Sequence, residues 1–194
     1  MKIYTFLLYV LWGVIIIEAT KQGCEYLENH NWNFSKINIG IFNDVDDVVY
    51  IKGLNNFNQS DLVKAENILE GYFNIQCTID GSIDLNNEFY NSNGLKCSEA
   101  LDQLEISGKK VFYITNEKLT LNEEYPSVRG CAAGNGTTAI VSTQTLKSTL
   151  IHEYAHLSGL DHCTTDNCAL EITKGNGDEL CSKCKSKIIK TLVN

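Results

Sequence analysis

Proline is nearly missing from this sequence, with one residue in 194, and no internal repeat or linker interrupts it after residue 20. With 43% hydrophobic residues, that absence excludes a collagen-like or disordered chain and leaves a folded globule. Positive charge is scarce too, with 16 Lys and Arg against 24 Asp and Glu and a net charge of −8. No basic stripe stands out, which excludes nucleic acid held through its phosphates. No apolar run reaches the roughly 20 residues that a membrane span needs. Histidine is scarce as well, with four copies, and three of them fall within "HEYAHLSGLDHC" (His152–Cys163).

The longest apolar run, Ile3 to Ile17, follows a single cation at Lys2 and has the length of a signal-peptide core. Residues 1–19 are therefore expected to be a signal peptide, with an uncleaved signal anchor as the alternative, and 20–194 a single domain. Three sequons, at Asn33, Asn58 and Asn135, agree with export and glycosylation. The expected location is extracellular or within the secretory pathway. His30 reads as a solvated loop residue.

Alternating apolar residues predict strands at Lys36–Phe42, Ile75–Ile79, Lys109–Thr115 and Thr137–Thr143. Helical spacing predicts helices at Ser60–Phe73, with Ser60 as N-cap, at Ser98–Ile106 and at Thr145–Gly159, and a C-terminal helix ends the chain. Interleaved strands and helices give an α+β or α/β class, a mixed sheet flanked by helices.

On a helix, His152 and His156 leave the same face, four residues apart, and can meet one ion. Glu153 stands one position round, beside the metal and not on it. Gly159 tolerates the left-handed conformation that ends a helix, which lets the chain return with His162. Three imidazoles and one open position describe catalytic Zn2+. Zinc lowers the pKa of its water from about 16 towards roughly 7, and Glu153 would serve as general base for peptide bond hydrolysis. Asp161 reads as a solvated turn residue, and Tyr154 as a ring that packs.

The residues His152, Glu153, His156, Gly159 and His162 match the metzincin pattern H-E-x-x-H-x-x-G-x-x-H. Cys163 follows at once, then Cys168 and the pair Cys181-x-x-Cys184, and this combination resembles archaemetzincin. The upstream "VFYITNEKL" and "GTTAIVSTQTL" are similar as well, over Val111 to Cys184 in all. The resemblance implies a metzincin-like twisted mixed sheet with an active-site helix, a second, structural zinc on Cys163, Cys168, Cys181 and Cys184, and Leu170 where the family has the methionine beneath its catalytic zinc. It also implies that the strand before the active helix lines the cleft, which makes Thr138, Ala139 and Ile140 the expected substrate-binding residues.

Secretion leaves two fates for the last four cysteines, a four-thiolate zinc site or disulfides. Cys24, Cys77, Cys97 and Cys131 are disulfide candidates with three possible pairings. The leading expectation is a secreted, monomeric zinc peptidase acting on peptides or proteins, with no membrane contact beyond the signal segment. The alternatives are a minimal reprolysin-like secreted metalloprotease with disulfides in place of the second zinc, and an inactive metzincin-fold binding protein.

Overall fold

The structure, a computed structural model, describes residues 48–193 apart from 105, 107, 123–124, 135 and 173–176, all within the compact unit Asp44–Asn194. The expected signal peptide, the strand at 36–42, Cys24, His30 and the sequons at Asn33 and Asn135 lie outside the described residues.

The elements run β1 (Val49–Leu54), α1 (Gln59–Phe73), β2 (Cys77–Ile83), β3 (Tyr90–Asn91), β4 (Gly94–Lys96), α2 (Cys97–Leu104), β5 (Lys110–Thr115), β6 (Leu119–Thr120), β7 (Gly130–Ala132), β8 (Thr138–Ser142), α3 (Leu146–Leu157) and α4 (Ser182–Val193). The main sheet has the order β2-β1-β5-β8-β7. Its first four strands are parallel, and β7 joins β8 antiparallel. A small second sheet is ordered β3-β4-β6.

The period of two along each central strand divides the core between the two faces of the sheet. Phe112, Ile114, Ala139 and Val141 face α1 and α3 with Leu62, Ala65, Leu69, Leu150 and Tyr154. Val111, Tyr113 and Ile140 face α2 with Ala100, Leu101 and Leu104. A third cluster joins Ile151 and Ala155 of α3 to Leu170, Leu180, Cys184 and Ile188. The fold is thus a mixed sheet with helices on both faces.

Several expectations shift. Asn58, not Ser60, precedes α1, in extended backbone, and its side-chain amide reaches the Asp61 carboxylate at 3.2 Å. Strand β1 is an addition. Its Lys52 and Gly53 interrupt the apolar pattern, yet Val49 and Ile51 are fully buried between two parallel neighbours. The strand Thr138–Ser142 lies inside the sheet, with β5 on one side and β7 on the other, so among the described residues the edge belongs to β7. A disulfide joins Cys97, the first residue of α2, to Cys131 in β7, which anchors that short edge strand. Cys77 is a free, buried thiol, pushed up to about 12 by burial. No described helix is long and apolar enough to cross a membrane.

Candidate metal centres and cleft

Helix α3 is buried nearly all round because three surfaces meet it. Leu150, Tyr154 and Leu157 pack towards the sheet, and the Tyr154 ring lies 4.1 Å from that of Phe73, centroid to centroid. Ile151 and Ala155 pack towards α4. The remaining stripe carries His152, Glu153 and His156, four residues separating the two histidines as one face of a helix requires.

The helix ends through two main-chain bonds. Gly159 N–H donates to His156 O at 2.9 Å, and Leu160 N–H donates to Ala155 O at 3.0 Å, with Gly159 at φ 79°. This is the Schellman arrangement, in which a left-handed residue caps the last carbonyls. Any side chain at Gly159 would be strained there. The reversed chain brings His162 back, its ring centroid 4.7 Å from that of His156 and 5.4 Å from that of His152.

The same turn orients the imidazoles. His152 Nδ1 lies 2.7 Å from Ala169 O, and His156 Nδ1 lies 2.8 Å from Leu160 O. A carbonyl only accepts, so each Nδ1 carries the ring proton and each Nε2 is left with a lone pair. Those two Nε2 atoms stand 3.0 Å apart. Two lone pairs facing at that distance repel unless a cation lies between them. Tetrahedral zinc with nitrogens at about 2.0–2.1 Å sets ligand atoms roughly 3.3–3.4 Å apart, so the residues fit the ion. Burial lowers the pKa of both imidazoles, that of His152 to about 4, which keeps them neutral and able to bind metal at pH 7.

Glu153 is buried, and desolvation pushes its carboxyl up to about 8. The charge of a bound dication acts in the opposite direction and favours the carboxylate. The acid sits at the base of a small cleft of about 140 Å3, lined by Arg129, Gly130, Thr149, His152, Glu153 and Ile172. Gly130 holds this packing open. A Cβ added there would fall 2.7 Å from Glu153 Oε1 and 2.6 Å from Thr149 Cγ2. Gly130→Ala is therefore expected to displace the carboxylate. A crystal structure of the variant checks this: a Glu153 carboxyl left in place would show that the contact does not position it.

The thiols of Cys163, Cys168, Cys181 and Cys184 converge as a second group, all four free, with Sγ atoms within 4.8 Å of one another. Cys163 Sγ and Cys181 Sγ are 3.8 Å apart, the edge of a tetrahedron with metal–sulfur bonds of about 2.3 Å. The hydroxyl and N–H of Thr165 draw the Cys163 thiol down to about 6, and Cys181 N–H donates to Cys168 Sγ at 3.3 Å. Burial raises Cys168 and Cys184. Cys181 is lowered as well, burial being outweighed by its hydrogen bonds with Cys184. A donor set with two thiols ready to ionise and two that resist fits a dication that carries the remaining charge. His162 and Cys163 are consecutive, so the two centres share one strand of chain.

Leu170 is fully buried in the third core cluster, on the turn whose preceding residue, Ala169, supplies the acceptor for His152. Asp161 is exposed. Thr138, Ala139 and Ile140 do not reach the cleft: all three are fully buried, and their strand is paired on both sides. The wall expected from them is made by Arg129, just before β7, and by Gly130, its first residue. Neither residue carried a local signal, because the order of strands in a sheet is set by long-range pairing. Thr149 and Ile172 join the cleft in the same way.

The sequence matches no protein-family model and no curated protein. The fold is similar to solved structures. Archaemetzincin from Archaeoglobus fulgidus, complexed with malonate, superposes with a TM-score of 0.61 at 21% identity, covering 72% of this chain and 99% of that one. Archaemetzincin from Methanopyrus kandleri gives 0.63 at 19% identity, covering 76% and 96%. A zinc-dependent peptidase from Methanocorpusculum labreanum gives 0.54 at 14% identity, covering 72% and 99%. The chain therefore has an archaemetzincin-like fold.

Proposed function

We propose that this chain is a secreted zinc peptidase in which His152, His156 and His162 hold the catalytic ion and Glu153 is the general base. The observation that carries this reading is the pair of Nε2 lone pairs 3.0 Å apart, each fixed by a main-chain acceptor on the far side of its ring, with a buried carboxyl next to them on the helix. The zinc named for one structural neighbour supports it. The archaemetzincin name of the other two supports it as well.

Zinc, when bound, activates water and polarises the scissile carbonyl. The chain's own residues do the rest. Glu153 accepts the proton of the attacking water and delivers it to the leaving amine. Its burial behind Gly130 and Thr149 holds the carboxylate oxygen in place and limits bulk water. Among the described residues strand β7 has a neighbour on one side only, and its outer edge is offered to an extended peptide. Cys163, Cys168, Cys181 and Cys184 hold a second, structural zinc, whose work is to fix the return of the chain at His162. The Cys97–Cys131 disulfide supports export, since such bonds persist in oxidising compartments. Residues 1–19 are the signal peptide on this reading, and 20–194 a monomeric catalytic domain.

The test is zinc content per chain alongside hydrolysis of a peptide library. A chelator should abolish cleavage and stoichiometric zinc should restore it. Cleavage that persists after all zinc is gone would overturn the proposal.

A further inference from the structure

We propose, resting on the peptidase reading above, that Arg129 selects peptides carrying a carboxylate beside the scissile bond, supplied by an acidic side chain or by the C-terminus. Arg129 is the single arginine of the sequence; every other basic residue is lysine. It lines the cleft that contains His152 and Glu153 and is exposed, so the one arginine of the sequence borders the space a substrate would enter. Among the described residues, no ion pair involves it.

Its backbone is well fixed. Arg129 O accepts from Ser142 N–H at 2.8 Å, the next residue pairs with Val141, and Cys131 is tied to Cys97. A guanidinium presented from an anchored backbone loses less freedom on meeting a ligand than one on a loose loop. Its planar pair of N–H groups matches a carboxylate bidentately, which a lysine cannot do. The chain as a whole carries −8 and repels anions in general. A cation confined to the cleft therefore sorts anionic peptides by where their carboxylate falls along the bound strand. Ile172, exposed, adds an apolar side chain to the same cleft.

The test uses the zinc-loaded full chain and matched peptides. Asp or Glu is placed at each position flanking the cleaved bond and compared with Asn or Gln, and free C-termini are compared with C-terminal amides. A charged hydrogen bond of this kind is expected to favour the carboxylate peptide about tenfold to a hundredfold, mainly through KM. Arg129→Gln should bring that ratio close to one, and Arg129→Lys should keep part of it. Loss of preference on amidation identifies the C-terminus as the source, and loss on Asp→Asn exchange identifies the side chain. Calorimetric binding of the same peptides to Glu153→Gln chains, with and without Arg129→Gln, gives a readout that needs no turnover. Equal handling of carboxylate and amide peptides by the wild type, or a preference that survives in Arg129→Gln, would overturn the assignment. A zinc-loaded wild type that cleaves no peptide would instead count against the peptidase reading, and the calorimetric ratio would still decide the role of Arg129.

Discussion

Glu153→Gln is expected to lose turnover by about 10²–10⁴-fold while its zinc content stays at the wild-type value. The amide is nearly the same size as the carboxyl, so the packing against Gly130 and Thr149 survives. What it cannot do is accept a proton. His152 and His156 keep their main-chain acceptors, and all three histidines keep their nitrogens, so metal analysis should find no change. The substrate affinity of the variant should also remain, because the cleft wall is untouched; the loss should appear in kcat and not in KM. If the Gln variant turned over at the wild-type rate, proton transfer would have to pass through another group. A variant that lost zinc along with activity would make Glu153 a structural support for the ion.

The second large effect is expected at the sulfur cluster. Cys184→Ala removes a buried ligand from a set of four, and the wild type should carry two zinc ions per chain where the variant carries one. Coordination of a structural zinc contributes directly to folding, and its loss should lower the thermal midpoint by roughly 10 °C for a chain of this size. The cluster seals Leu180 and Ile188 of the C-terminal segment against α3, so the lost stability belongs to that junction. Because Cys163 follows His162 directly, turnover should decline together with stability even though no ligand of the first ion has changed. A wild type with one zinc per chain, and disulfides among these cysteines on peptide mapping, would replace the second ion with covalent bridges.

The parts of the site that obey local rules were legible in the sequence. The i, i+4 placement of His152 and His156 follows from helical geometry, and the left-handed glycine at Gly159 follows from the need to reverse the chain; both can be read from eleven consecutive letters. The convergence of the four thiols was also written in their spacing, although their state was not. Long-range pairing was not legible. Strand β7 is only "GCA", with no β-branched residue, and nothing in those three letters marks it as the edge of a five-stranded sheet. Expecting Thr138, Ala139 and Ile140 to line the cleft left β7 out for that reason. The partner of Cys97 could not be chosen among Cys24, Cys77 and Cys131, because the answer depends on where α2 and β7 meet in space. Strand β1 escaped notice for another reason: Lys52 pairs with Asp80 across the sheet at 2.9 Å, so a charge sits between the buried residues Ile51 and Gly53.

Both acceptors that aim the imidazoles, Ala169 O and Leu160 O, belong to peptide groups and not to side chains. Their identity is indifferent to which amino acid occupies either position. This stretch can therefore exchange many of its letters and keep its rings pointed, provided that the backbone still brings those two carbonyls to the rings. Relatives of this chain should accordingly be far more uniform in the length of that turn than in its composition.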